Sequence, residues 1–188
     1  MYFKKMIGNK CYLSPLDIGD AEKYVAWLND REVTIHLTFY SRVISIANEK
    51  TFLENLSEDH HYAIIDKSTD ESIGTCGFVK IDHLNQTADI GIVIGNKNYW
   101  NKGYGSEALT LLLDYGFKAL NFHTIGLTVY EFNTRAMASY KKVGFKITGK
   151  RREALKRGNE TYDILYMDIL CNEFYEENNI IKELSFSW

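Results

Sequence analysis

Cysteine is sparse in this chain: Cys11, Cys76 and Cys171 stand far apart in 188 residues. An odd, scattered set excludes a disulfide framework and fits a reducing compartment. There is no Cys-x-x-Cys pair and no Cys/His cluster with zinc-ligand spacing, so no metal is expected. No run approaches the about 20 apolar residues that a membrane helix needs. No apolar stretch of signal length follows Lys4 and Lys5. A large charge of one sign is missing too. Twenty-two Lys and Arg against 25 Asp and Glu leave a formal net charge of −3, which gives no general reason to expect a nucleic-acid partner. Internal repeats, low-complexity segments and a convincing domain linker are also absent. The expectation is a cytoplasmic protein with no membrane association.

What is present suffices for a folded core. Hydrophobic residues make up 45% of the chain, enough without disulfides or a structural metal. The length fits one domain, expected over 1–172, with a tail over 173–188 that packs on the domain or on a partner through Ile180, Ile181, Leu184, Phe186 and Trp188. Lys10–Leu16 reads as a short strand. Asp20 is placed to cap a helix carrying Ala21, Tyr24, Val25 and Leu28. A second short helix is expected within 31–44 and another over Ser45–Leu56, with Phe52, Leu53 and Leu56 on one face. Tyr62–Ile65, Ser72–Ile81 and Thr87–Ile94 form a meander with short polar turns, the pattern of antiparallel pairing. Then come a helix over Glu107–Leu120, packed through Ala108, Leu111, Leu112, Tyr115 and Ala119, and a strand over Thr124–Val129. A helix over Thr134–Lys142 ends at Gly144. A strand begins at Phe145–Thr148, and a last strand spans Thr161–Leu170. This order implies an α/β (or α+β) chain with a mixed sheet, in which 124–129 lies parallel to 87–94 through a helical crossover.

The most informative stretch is Tyr99-Trp100-Asn101-Lys102-Gly103-Tyr104-Gly105-Ser106-Glu107-Ala108. It sets two glycines at the mouth of a helix directly after a strand. Free N–H groups at such a helix start hold phosphates, and glycine lets the main chain approach a ligand closely. Taken alone, the pair is equally ordinary turn chemistry. It is not a P-loop, because no Gly-Lys-Ser/Thr ending follows. It is not a dinucleotide fingerprint, because no acidic residue ends the next strand.

Three further stretches accompany the turn in order: Ile73-Gly74-Thr75-Cys76-Gly77, Ala88-Asp89-Ile90-Gly91-Ile92-Val93-Ile94, and the block from Asn133 through Tyr140 to Gly144-Phe145. With the turn, they make the chain resemble the GCN5-related N-acetyltransferase (GNAT) superfamily over about residues 10–170, closest to its ribosomal-protein N-terminal acetyltransferase branch. That branch in turn resembles the spermidine acetyltransferases. The resemblance implies a mostly antiparallel central sheet with helices on both faces. It also implies acetyl-CoA held in a cleft between two splayed parallel strands, here 87–94 and 124–129. It places the diphosphate on the amides of Lys102, Gly103, Tyr104, Gly105 and Ser106. An Arg or Gln usual in the family three positions before the first glycine is Trp100 here.

The resemblance also distributes the chemistry. Strand N–H groups at Ile92 and Val93 would polarise the thioester carbonyl. Tyr140 matches the general acid that protonates the coenzyme A thiolate. Asn133 would contact the pantetheine arm, and as a residue it also fits an ordinary helix N-cap. Asp89 is the acidic candidate for a base, with His60, His61, His83 and His123 as alternatives that nothing fixes in the site. Cys76 lacks a His–acid partner and reads as core, so transfer is expected to be direct. Trp27, Phe39 and Tyr40 are candidates for the acceptor pocket. The basic run Lys150, Arg151, Arg152, Lys156 and Arg157 belongs to a loop or hairpin near it. The expected reaction is transfer of an acetyl group from acetyl-CoA to a primary amine, foremost a protein N-terminal amine. A small amine (polyamine, amino sugar or aminoglycoside) or a non-catalytic acyl-CoA-binding module is the alternative. A homodimer is common in the resembled family.

Overall fold

The computed structural model describes residues 1–56 and 60–177. Eight strands form one sheet: β1 (Met6–Ile7), β2 (Cys11–Pro15), β3 (His61–Asp66), β4 (Glu71–Asp82), β5 (Thr87–Ile94), β6 (Thr124–Tyr130), β7 (Lys146–Arg157) and β8 (Glu160–Leu170). Their order is β1-β2-β3-β4-β5-β6-β8-β7. The helices are α1 (Ala21–Leu28), α2 (Arg31–Thr34), α3 (Ile46–Leu56), α4 (Tyr104–Lys118), α5 (Thr134–Val143) and α6 (Cys171–Glu177). The expected fold class is present: a mixed, mostly antiparallel sheet with helices on both faces and one parallel pair, β5 with β6. Contacts divide the chain into two units, Met1–Phe78 with Ile92–Leu112, and Val79–Gly91 with Leu113–Trp188. The expected packing of Ile180 to Trp188 lies outside the described residues.

In the first unit, β2 and β3 pair antiparallel with Tyr12 opposite Ile65 and Leu13 opposite Ile64. Both strands are apolar on both faces, as interior strands are, and Leu13, Ala63, Ile64 and Ile65 are fully buried. Helix α1 buries Ala21 and Tyr24, three residues apart, against Leu53 of α3. Asp20 sits at the N-cap position of α1 but makes no side-chain cap bond. Its carboxylate instead accepts the Tyr2 hydroxyl at 2.9 and 2.7 Å, a long-range donor that outcompetes the local amides. The helix expected within 31–44 is a single turn, α2. On α3, Leu53 is buried but Phe52 is 54% exposed, so the apolar face there is narrower than its sequence suggests.

In the second unit, β6 and β8 pair antiparallel along seven residues, from Thr124–Leu170 to Tyr130–Ile164. The parallel ladder of β5 on β6 is short. It registers Thr87–Thr124, Ala88–Ile125 and Asp89–Gly126 and no further pair, although β6 continues to Tyr130. Strand β7 runs from Lys146 to Arg157 and pairs with β8 with register shifts at 147/149 and 151/155. The basic run therefore lies on the β7 arm of the β7–β8 hairpin rather than in a loop. Strand β7 is last in the sheet order, and charged side chains on an edge strand prevent further strand addition.

Candidate active site

The chain leaves β5 at Ile94 and turns at once. The Gly95 and Asn96 amides both donate to Ile73 O, at 3.0 and 3.1 Å. Gly95 is a packing requirement, since a Cβ there would lie 2.1 Å from Trp27 Cδ2. Trp27, expected in an acceptor pocket, thus lays its indole on the main chain just after β5 and meets the Tyr24 ring at 5.5 Å. Asn96 Oδ1 accepts from the Asn98 amide at 3.1 Å and opens a 3-10 turn over Lys97–Tyr99. The indole N–H of Trp100 donates to Ile94 O at 2.7 Å. The residue three positions before the first glycine therefore ties the turn to the end of its strand.

Asn101 and Gly103 then take positive φ, +58° and +86°, and α4 begins at Tyr104, three residues earlier than its apolar pattern indicates. The residue before the helix, Gly103, has no side chain with which to cap it. Among the described residues, the amides of Lys102, Gly103, Tyr104, Gly105 and Ser106 have no acceptor. The next amide, Glu107, donates to Gly103 O at 3.1 Å. The Lys10 ammonium donates to Lys102 O at 2.7 Å, which sets a positive charge beside the open amides. The one acid of the helix's first turn points elsewhere: Glu107 Oε1 accepts the Lys10 and Cys11 amides at 2.7 and 3.2 Å. Consecutive unpaired donors, a lysine and the positive end of a helix fit a diphosphate.

Ile92 and Val93, in β5, are half-buried. The carbonyl of Val93 closes on Gly74, where a Cβ would lie 2.2 Å from Val93 O. Phe39 and Tyr40 are half-buried in the turns after α2, where Phe39 O accepts the Arg42 amide at 2.8 Å.

In the second unit, Asn133 Oδ1 accepts the Ala136 amide at 3.2 Å and starts α5 as an N-cap. Tyr140 follows seven residues on, about two helical turns, so both fall on one side of the helix. The Tyr140 ring packs edge-on against Phe145 at 6.0 Å. Its hydroxyl has no partner among the described residues, and burial pushes its pKa up to about 12. Asp89 Oδ2 accepts the Lys80 ammonium at 2.7 Å. Its other oxygen occupies the space over Gly126, where a Cβ would lie 2.8 Å away. The basic run is partly neutralised: Lys150 bonds Asp163 at 2.6 Å, and the Arg157 guanidinium lies 5.3 Å over the Tyr130 ring. Cys76 is buried, and desolvation holds its thiol protonated. Among the described residues no group of three or more His, Cys, Asp or Glu is placed to hold a metal, and no helix is long and apolar enough to cross a membrane.

The sequence profile of the acetyltransferase (GNAT) domain matches residues 10–146. The chain belongs to the GNAT acetyltransferase family. It is an acetyl-CoA-dependent acetyltransferase. It is 33% identical over 167 residues to the uncharacterized N-acetyltransferase p20 of Bacillus licheniformis, covering 86% of this chain and 93% of that protein. It is 24% identical over 169 residues to spermidine N(1)-acetyltransferase of Escherichia coli K12, covering 88% and 89%. The crystal structure of spermidine N-acetyltransferase from Vibrio cholerae in complex with CoA and spermine superposes with a TM-score of 0.80 at 22% identity, over 89% of this chain and 99% of that one. Of the residues around the turn, Lys10 and the Trp100 indole bond escape prediction from sequence. Lys10 is 92 residues away from its acceptor Lys102, and no local pattern signals such a contact.

Proposed function

We propose that this GNAT enzyme acetylates small-molecule primary amines, polyamines foremost, rather than the protein N-terminal amine that the ribosomal-protein branch would imply. The observation that carries this reading is the likeness to a spermidine N(1)-acetyltransferase along 88% of the chain. In this reading the amides of Lys102 to Ser106, with the Lys10 ammonium beside them, bind the diphosphate. Acetyl-CoA supplies the acetyl group as a thioester. The main-chain N–H groups of Ile92 and Val93 face the carbonyl that must be polarised, and Asn133 adds to the cofactor contacts while capping α5. Tyr140 holds a proton at Oη for the departing sulfur. A pKa pushed up to about 12 keeps that proton in place at neutral pH. Asp89, which pairs with the Lys80 ammonium, takes the proton of the acceptor ammonium. Trp27, Phe39 and Tyr40 belong to the acceptor side. A homodimer in a reducing cytoplasm, compatible with the free thiols of Cys11, Cys76 and Cys171, completes the proposal.

The test is coenzyme A release by the purified chain from acetyl-CoA with a panel of spermidine, spermine, amino sugars, aminoglycosides and peptides with free N-termini. Turnover concentrated on the polyamines is expected. Turnover on the peptides with none on any small amine would overturn the acceptor assignment, and cofactor binding without transfer would overturn the catalytic one.

A further inference from the structure

We propose that Asp66 is a positioning residue for the diphosphate turn: it grips the turn from both sides through the hydroxyls of Tyr99 and Tyr104. The inference rests on the reading that the turn holds a diphosphate. Asp66 ends β3 and is 3% exposed. A carboxylate so buried must be well supplied with donors. Part of the supply is local. The Ser68 amide reaches Oδ1 at 3.2 Å, the Ser68 hydroxyl reaches both oxygens at 3.1 and 3.0 Å, and the Thr69 hydroxyl reaches Oδ2 at 3.0 Å. Those bonds would close a polar turn after a strand without further help. Two more donors come from far along the chain. Tyr99 Oη donates to Oδ2 at 3.0 Å and Tyr104 Oη to Oδ1 at 3.2 Å. The two rings meet edge-on at 5.0 Å.

Tyr99 ends the 3-10 turn before the glycines, and Tyr104 is the first residue of α4. Between them lie Trp100 to Gly103, including both residues of positive φ. Amides left without acceptors cannot fix their own geometry, so the segment needs support from outside. Each tyrosine hydroxyl is bound to one oxygen of a single buried carboxylate, which sets the distance between the two ends of the turn. Burial alone would raise the Asp66 pKa, but the donors of Ser68, Thr69 and Tyr99 outweigh it and hold the carboxyl below its ordinary value. The clamp therefore stays charged at neutral pH.

The experiment compares wild type, Tyr99→Phe, Tyr104→Phe and Asp66→Asn with two donors, acetyl-CoA and acetyl-pantetheine, which lacks the diphosphate. Tyr99→Phe is expected to raise the KM for acetyl-CoA about three- to tenfold, less than the full loss of a hydrogen bond to a charged group because the change reaches the cofactor only through the turn. Its kcat should change less than its KM, and its kcat/KM for acetyl-pantetheine should stay within about twofold of wild type. Tyr104→Phe and Asp66→Asn should move acetyl-CoA affinity in the same direction. If Asp66→Asn does not fold, the tyrosine variants decide. An unchanged KM for acetyl-CoA in Tyr99→Phe and Tyr104→Phe, with only a lowered melting temperature, would overturn the proposal. Equal losses with both donors would overturn it as well. Failure of the wild type to bind coenzyme A in calorimetry would instead defeat the diphosphate reading itself.

Discussion

Helices α4 and α5 begin in opposite ways. Helix α5 is closed locally at both ends. Asn133 caps its first turn. Gly144, at φ 111°, turns the chain so that the Gly144 and Phe145 amides return to Lys141 O and Tyr140 O, both at 3.1 Å, and Lys141 and Lys142 complement the dipole. Helix α4 starts after a glycine, leaves a run of amides without acceptors, and is held by Lys10, Glu107 and Asp66 through residues distant in sequence. A helix start costs least when its own side chains satisfy it. A start left open and stabilised from elsewhere keeps its donors available for something that is not protein. The same contrast gives the ends of α5 a stabilising role and supports the proposed binding role of the start of α4.

The largest expected effect comes from the chemistry proposed for Tyr140 of α5 rather than from the helix caps. Tyr140→Phe removes one oxygen and keeps the ring against Phe145. It should lower kcat on the order of a hundredfold, the low end for loss of a general acid, and leave the KM for acetyl-CoA near wild type. Steady-state kinetics with acetyl-CoA varied decide it, and an unchanged kcat would remove Tyr140 from the chemistry. Asp89→Asn should cost less, because Lys80 already holds that carboxylate.

Next in size is a direct attempt to make α4 resemble α5. Gly103→Asp places a capping carboxylate before the open amides, at a φ of +86° that Asp tolerates better than most residues. The side chain competes with the diphosphate for the same donors and repels it. The KM for acetyl-CoA should rise about tenfold or more, while the strain of a side chain at that φ offsets the gained cap and leaves the melting temperature unchanged or slightly lower. A variant with unchanged KM would show that those amides do not meet the cofactor.

The two helices were also unequally legible in the sequence. Asn133 and Gly144 are local signals, and they located α5 within one residue. Strand β5 is observed at the bounds its sequence indicates, Thr87–Ile94. The start of α4 is not legible, because its first turn, Tyr104 to Ser106, is not a core face, and the apolar pattern begins only later, with Ala108 and Leu109. Strand β7 is legible only at its start, Phe145–Thr148, because beyond it the segment is charged and largely exposed. Pairing with β8, not side-chain burial, makes it a strand. The Asp66 clamp was invisible for a third reason: its tyrosine donors are 33 and 38 residues away, and no periodicity encodes a hydrogen bond between segments so far apart.

A smaller effect tests the closed end of the comparison. Asn133→Ala removes the N-cap of α5 and should cost about 1 kcal/mol of unfolding free energy in denaturant titration. If Asn133 also touches the cofactor, the KM for acetyl-CoA rises in parallel, beyond what the stability loss explains. If only stability changes, Asn133 is a cap and its cofactor assignment fails.

The smallest expected effect concerns the proton on Tyr140. Its pKa is pushed from 10.0 up to about 12 by burial of the hydroxyl. In the unfolded chain it titrates at the ordinary value. Below pH 10 both states hold the proton and Tyr140 adds no slope. From pH 10 to about 12 the unfolded chain releases it first, so this contribution to stability declines as pH rises. Other tyrosines, such as Tyr2 and Tyr24, are shifted upward as well, so the quantity to measure is wild type minus Tyr140→Phe. That difference should be flat to pH 10 and then fall. A flat difference throughout would mean a solvated hydroxyl. A solvated hydroxyl would exchange its proton with water as freely as with a departing sulfur, and α5 would then contribute only its caps.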